Sequence, residues 1–233
     1  MNKEWGITGI IKHFACLIFG IGLMSASVAL SKIALLGTSP ISSIPNVLSE
    51  LTSLTIGQWT ILFMIILIGL EWVALRKDFG WQNVIQIIPS LFFGVMIDWF
   101  VKFFSFIKLP NYGAQLILTL ISILLLAFGV YFEVNSRTLT MAGEGISVAF
   151  ALAKKTPFTQ MKVRVDLTMV IVALVLSLVF THQLIGIREG TVLSALLAGR
   201  IVGLIEAHFP KMTAWVRGTD EHHNPKTEQA YQN

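Results

Sequence analysis

The chain has 233 residues, 55% of them hydrophobic and only 13% charged, with a formal net charge of +4 and a single cysteine, Cys16. A soluble domain of this length could not bury so much apolar surface, whereas a bilayer core about 30 Å thick absorbs apolar runs of roughly 20 residues each. The composition therefore excludes a disordered chain, a disulfide scaffold and a nucleic-acid-binding protein, and it predicts an all-α polytopic membrane protein whose main partner is the lipid bilayer.

Residues 1–13, with Lys3 and Lys12, read as a cytoplasmic N-terminus. Together with the small triplet Ser25, Ala26 and Ser27 they imitate a secretory signal. The apolar run, however, continues over 14–36, too long for a signal core and long enough to cross the bilayer, so a retained first span is predicted. Gly37, Thr38, Ser39 and Pro40 then break the helix. Ser39 is suited to cap, and Pro40 to occupy the first turn of, a short helix over 41–51 that cannot span. Thr55 and Gln58 spell a capping box for the second span, 56–75. Near its end, Glu71 lies one turn before Arg76 and Lys77 and reads as an interfacial ion pair.

The third span, 84–106, contains Asp98, and the fourth covers 113–134. Gly143, Glu144 and Gly145 form a second break before a short helix over 146–153, which stops at Lys154, Lys155, Thr156 and Pro157. The fifth and sixth spans cover 163–180 and 190–209, with Arg200 near the middle of the sixth. Glu133, Arg137, Arg164 and Asp166 crowd the ends of the fourth and fifth spans. They read as solvated salt bridges worth about 1 kcal/mol or less apiece, or, with Glu144, as a gate. Residues 210–233 form a polar cytoplasmic tail, in which His222 and His223 are solvated imidazoles rather than metal ligands.

All six spans are predicted as helices, because a helix satisfies its own backbone in lipid and these runs lack the alternation of a barrel strand. Placing the N-terminus inside puts Lys3, Lys12, Arg76, Lys77, Arg137, Lys154, Lys155, Lys162, Arg164, Lys211, Arg217 and Lys226 in the cytoplasm. Only Lys102, Lys108 and Arg188 remain outside. This predicts a multi-pass protein of the cytoplasmic membrane with both termini inside. Trp5, Trp59, Trp72, Trp81, Trp99 and Trp215 lie near span ends, where amphipathic rings sit well.

The two halves, 14–106 and 113–209, share landmarks in the same order. Phe19 and Gly20 recur as Phe128 and Gly129; Pro40, Ile41 and Ser42 match Gly145, Ile146 and Ser147; Leu91 and Gly94 match Leu196 and Gly199. A unit with three spans ends on the opposite side from its start, so its second copy is inverted. Inverted repeats are a recurrent plan of secondary transporters, with a midplane site to which interrupted helices contribute their ends. Duplication also builds bundles of other function.

The chemistry follows from the breaks and the intramembrane charges. A helix N-terminus aimed into a cavity holds an anion or carboxylate, and one lying flat is merely interfacial. A charge at a helix centre costs about 2.5–3.5 kcal/mol on insertion scales, so Asp98 and Arg200 are not expected to face lipid alone. Arg200 is expected to face the interior and bind an anionic group, with Asp98 or Glu144 as counter-charge or proton acceptor; the alternatives are a structural ion pair or a snorkelling arginine. The candidate substrate-binding residues are thus Gly37, Ser39, Asp98, Gly143, Glu144 and Arg200. No nucleophile elbow, zinc-helix motif, Walker loop or Cys-x-x-Cys is present, which predicts no enzyme, cofactor or metal site.

Phe19-Gly20-Ile21-Gly22, the Gly37 to Pro40 break, Leu54-Thr55-Ile56-Gly57 and the stretch from Gly94 to Asp98 resemble the YczE/YyaS/YitT family of bacterial membrane proteins. The similarity covers about residues 14–209. Gly37 to Pro40 retains that family's Gly-x-x-Pro break, and Gly143-Glu144-Gly145 matches its glycine-rich counterpart. Arg200 stands where relatives often carry proline after glycine. The resemblance implies a bacterial cytoplasmic-membrane location and carries over no binding residue. The expected function is a transporter or channel for a small anionic or zwitterionic solute, with a non-transporting protein that stabilises or regulates a partner complex as the alternative.

Overall fold

The computed structural model describes residues 7–218, which fold as ten α-helices and one 3-10 turn. In chain order these are α1 (Ile7–Ala34), α2 (Pro40–Leu51), α3 (Ile56–Leu75), α4 (Trp81–Ile85), α5 (Ile87–Phe103), α6 (Tyr112–Asn135), α7 (Ala142–Lys154), α8 (Phe158–Thr181), α9 (Glu189–His208) and α10 (Pro210–Arg217). Six segments are long and apolar enough to cross a membrane: α1, α3, α4 with α5, α6, α8 and α9. They coincide with the six runs read from the sequence.

Burial sorts the spans into centre and periphery. In its most apolar stretch α1 is 67% buried, whereas α3 and α8 are 28% buried and leave Ile65, Ile66, Leu70, Ile171, Val175 and Val179 on the outside. That apolar exterior is what lipid requires. At the centre α1 and α6 cross antiparallel in a strict register. His13 Nδ1 lies 2.7 Å from the Ser136 carbonyl oxygen, Ser27 Oγ donates to the Ser122 carbonyl at 2.7 Å, and midway between these contacts Gly20 faces Gly129. A Cβ on Gly20 would stand 2.7 Å from the Gly129 carbonyl oxygen and one on Gly129 2.8 Å from that of Gly20, so only glycine permits this approach.

Around this pair α3 packs on α5 and α7, and α8 packs on α9 and α2. The predicted capping box at the start of α3 is present: Gln58 N–H donates to Thr55 Oγ1 at 3.1 Å, and Thr55 N–H to Gln58 Oε1 at 3.0 Å. The first break is also where it was expected. α1 stops at Ala34, Gly37 adopts φ +103°, and α2 begins at Pro40 with Ser39 in the N-cap position, although its hydroxyl makes no capping bond.

Several expectations need correction. The second break differs from the first: Gly143 and Gly145 lie inside the first turn of α7, which begins at Ala142, and the non-helical segment before it is 136–141, with Arg137 at φ +53°. α8 starts at Phe158, five residues before the expected 163, because Lys162 and Asp166 belong to the span rather than to its boundary. α1 likewise reaches back to Ile7.

Glu71 does not pair with Arg76 or Lys77. It is buried and accepts from Asn83 Nδ2 at 2.9 Å and Gln86 Nε2 at 3.1 Å. The tail expected from residue 210 is helical through Arg217. That helix is held by Tyr131 to Thr213 (2.9 Å between hydroxyls) and by Arg217, which donates to Asn135 Oδ1 and pairs with Glu206. Lys3, Trp5, His222, His223 and Lys226 lie outside the described residues.

Candidate functional site

The two short helices begin in the interior and run apart. The Ile41 side chain, in the first turn of α2, presses on the Cα of Gly143 in the first turn of α7. From there α2 heads for the Thr55 end of α3, where Trp59 Nε1 donates to Thr52 Oγ1 at 2.6 Å. α7 heads the other way, with Gly143 beside Met64 and Gly145 beside Glu71. Each start carries the positive end of a helix dipole. Pro45, inside α2, also withholds a helical donor from the Ile41 carbonyl.

A charged group gathers at the start of α7. Lys162 Nζ, from α8, lies 3.1 Å from Glu144 Oε1 and 2.8 Å from Asp166 Oδ1. Glu133, from α6, accepts the Met141 N–H at 2.5 Å and so caps α7, while Ser90 Oγ accepts from Ala142 N–H at 3.3 Å. Relative exposures are 0% for Glu133, Glu144 and Asp166 and 1% for Lys162. Glu133 is within electrostatic reach of Glu144 and Lys162.

Glu144 and Asp166 therefore share one ammonium, with Glu133 a third buried carboxyl beside them. One oxygen of each, Glu133 Oε2, Glu144 Oε2 and Asp166 Oδ2, makes no hydrogen bond. A buried group of this kind is costly unless every charge is compensated, so it needs a proton, a cation or a cationic ligand to complete it. Unpartnered buried oxygens continue along the short helices at Ser147 Oγ on α7 and at Ser39 Oγ, Ser42 Oγ and Asn46 Oδ1 on α2.

Of the six candidates read from the sequence, Ser39, Gly143 and Glu144 belong to this region. Gly37 lies beside it: a Cβ there would strike Thr191 Oγ1, and the neighbouring Thr38 N–H donates to the Gly186 carbonyl at 3.1 Å, which ties the first break to the α8–α9 loop. Asp98 stands apart. It accepts from Thr55 Oγ1 at 2.6 Å and from Gly57 N–H at 3.0 Å, and so secures the start of α3.

Arg200 does not face the interior; its side chain is exposed on the outer face of α9. Glu133 and Asp166, assigned from the sequence to solvated interfacial pairs, are core residues, whereas Arg164 is exposed. Lys162 was read only as a cytoplasmic loop charge. The available signal was its spacing: Lys162 and Asp166 are four apart, on one face of a helix, within a run of otherwise apolar residues.

A protein-family model described as "Family of unknown function (DUF6198)" matches residues 11–207. The chain is also 28% identical over 197 residues to the uncharacterized membrane protein YczE of Bacillus subtilis (strain 168), an alignment covering 82% of this chain and 81% of that protein. No solved structure matches the chain.

Proposed function

Since the chain belongs to the DUF6198 family, a YczE-like family of membrane proteins, we propose that it carries a small zwitterionic or anionic solute across the cytoplasmic membrane, without converting it, through a site at the meeting of α2 and α7. The observation that carries this reading is the fully buried group of Glu133, Glu144, Lys162 and Asp166 at a helix N-terminus, with one oxygen of each carboxyl unpaired. Intramembrane ionisable groups facing a bundle interior mark solute or proton paths. The start of α2, which has no side-chain cap, suits a carboxylate, and the surplus acid at the start of α7 suits an ammonium or an accompanying proton, which favours a zwitterion over a bare anion.

The reading includes an inverted repeat of units 14–106 and 113–209. Its support is the pairing of neighbours: α3 on α5 and α7 corresponds to α8 on α9 and α2, with the Gly20–Gly129 contact between the halves. The distribution of Lys and Arg supports a cytoplasmic side for both termini. The rival is a non-transporting protein that stabilises or regulates a partner complex.

A thermal-shift screen of the purified protein against amino acids, organic anions and inorganic ions identifies ligands, since binding to the folded state raises apparent stability. Each hit is then tested for flux in proteoliposomes. Flux in the wild type that disappears in a folded Glu144→Gln variant supports transport. Absence of flux for every hit, with a second subunit co-purifying in stoichiometric amount, favours the rival.

A further inference from the structure

On the outer face of the bundle, the first turns of α8 and the second half of α9 border a groove. Thr159, Gln160, Arg164, Arg200, Gly203 and Leu204 line it. Gly199 and Gly203, four residues apart, let the helices close on one another there. A Cβ on Gly199 would lie 2.9 Å from the Thr159 carbonyl oxygen, and one on Gly203 3.3 Å from Thr159 Cγ2.

Both arginines are exposed, and among the described residues neither lies within ion-pair distance of a carboxylate. At 1.5 Å per residue, Arg164 sits about 9 Å from the start of α8 and Arg200 about 12 Å from the end of α9, so two helices bring their guanidinium groups to similar depth. Leu204, Ile171 and Val175, exposed on the same two helices, belong to a surface that meets acyl chains.

Two unpaired guanidinium groups on a lipid-facing surface are costly unless an anion meets them. Among the described residues no side chain supplies one, and the anion that a membrane offers to the outside of a bundle at this depth is a lipid phosphate. We propose that this groove is a binding site for an anionic phospholipid headgroup in the leaflet at the Lys154–Lys155 end of the molecule. Arg164 and Arg200 grip the phosphodiester from either side, each guanidinium offering paired donors to its oxygens. The headgroup lies over this close contact rather than between the helices, the Gln160 amide and Thr159 hydroxyl offer polar contacts beside it, and Leu204 lies against an acyl chain. Lys154, Lys155 and Lys211 add attraction for an anionic leaflet. This inference is independent of the transport reading.

The test is native mass spectrometry of the full-length protein, released into mild detergent from bilayers of equal parts phosphatidylglycerol, cardiolipin and phosphatidylethanolamine. The wild type is expected to retain the anionic lipids several-fold over phosphatidylethanolamine. The double variant Arg164→Gln/Arg200→Gln is expected to lose roughly tenfold or more of that retention, as the removal of two cationic contacts at a lipid surface predicts. Lys102→Gln, outside the groove, serves as the control and is expected to retain lipid as the wild type does.

Equal retention in the wild type and the folded double variant overturns the proposal. So does a wild type without headgroup preference, a measurement that holds even if the double variant fails to fold. Inorganic phosphate is added in competition: displacement of the lipid by free phosphate at equal concentration overturns the assignment of a lipid, and continued retention supports it.

Discussion

Gly20 and Gly129 meet backbone to backbone at the crossing of α1 and α6, each standing where a methyl on the other would strike its carbonyl oxygen. The contact lies between His13–Ser136 on one side and Ser27–Ser122 on the other. It sets how closely the two central helices approach, and with them everything packed outside.

Gly20→Ala is expected to destabilise the protein by about 1–3 kcal/mol, the usual cost of overpacking, because both obstacles nearest its Cβ are backbone atoms of α6. Gly22→Ala, with no heavy atom within 4 Å of its Cβ, is expected to leave stability unchanged or slightly raised. Thermal unfolding of the two variants in one detergent makes the comparison.

Lys162→Met removes the one ammonium that faces Glu144 and Asp166. Breaking a buried pair from one side costs about 3–5 kcal/mol, so folded yield should fall sharply. Adding Glu144→Gln and Asp166→Asn neutralises the two carboxyls that face Lys162, leaves Glu133 with its Met141 N–H donor, and is expected to restore most of the stability while leaving any flux absent. A triple variant as unstable as the single one would show that packing, not charge, governs this position.

Asp98→Ala removes the acceptor of the Thr55 hydroxyl and the Gly57 N–H at the start of α3. A loss of about 1–2 kcal/mol is expected, the scale of a helix cap. Ligand-induced stabilisation should be as large as in the wild type, because Asp98 lies outside the charged group. Thermal shifts with and without ligand separate the two effects.

Orientation is open to single-cysteine labelling, since Cys16 is buried and the only native thiol. On a Cys16→Ala background, an impermeant maleimide applied to intact cells is expected to label Asn111→Cys but not Lys155→Cys. The opposite pattern would invert the molecule and place the basic loops outside.

Much of the architecture could be read directly from the chain. Six apolar runs of membrane length, the Gly37–Pro40 break and the Thr55–Gln58 capping box are properties of a few adjacent residues, governed by bilayer thickness, backbone freedom and local hydrogen bonding. Such terms act along the sequence and need no knowledge of distant partners. The direction faced by a charged side chain is different in kind. Arg200 in mid-span looked internal, and Lys162 and Asp166 near a boundary looked solvated. Tertiary structure reversed both, because a buried charge is settled by what another helix brings to it: Glu144 on α7 reaches Lys162, and among the described residues no carboxylate reaches Arg200. The spans were therefore decided by local hydrophobicity, and the site only by the packing of α6, α7 and α8 around one lysine.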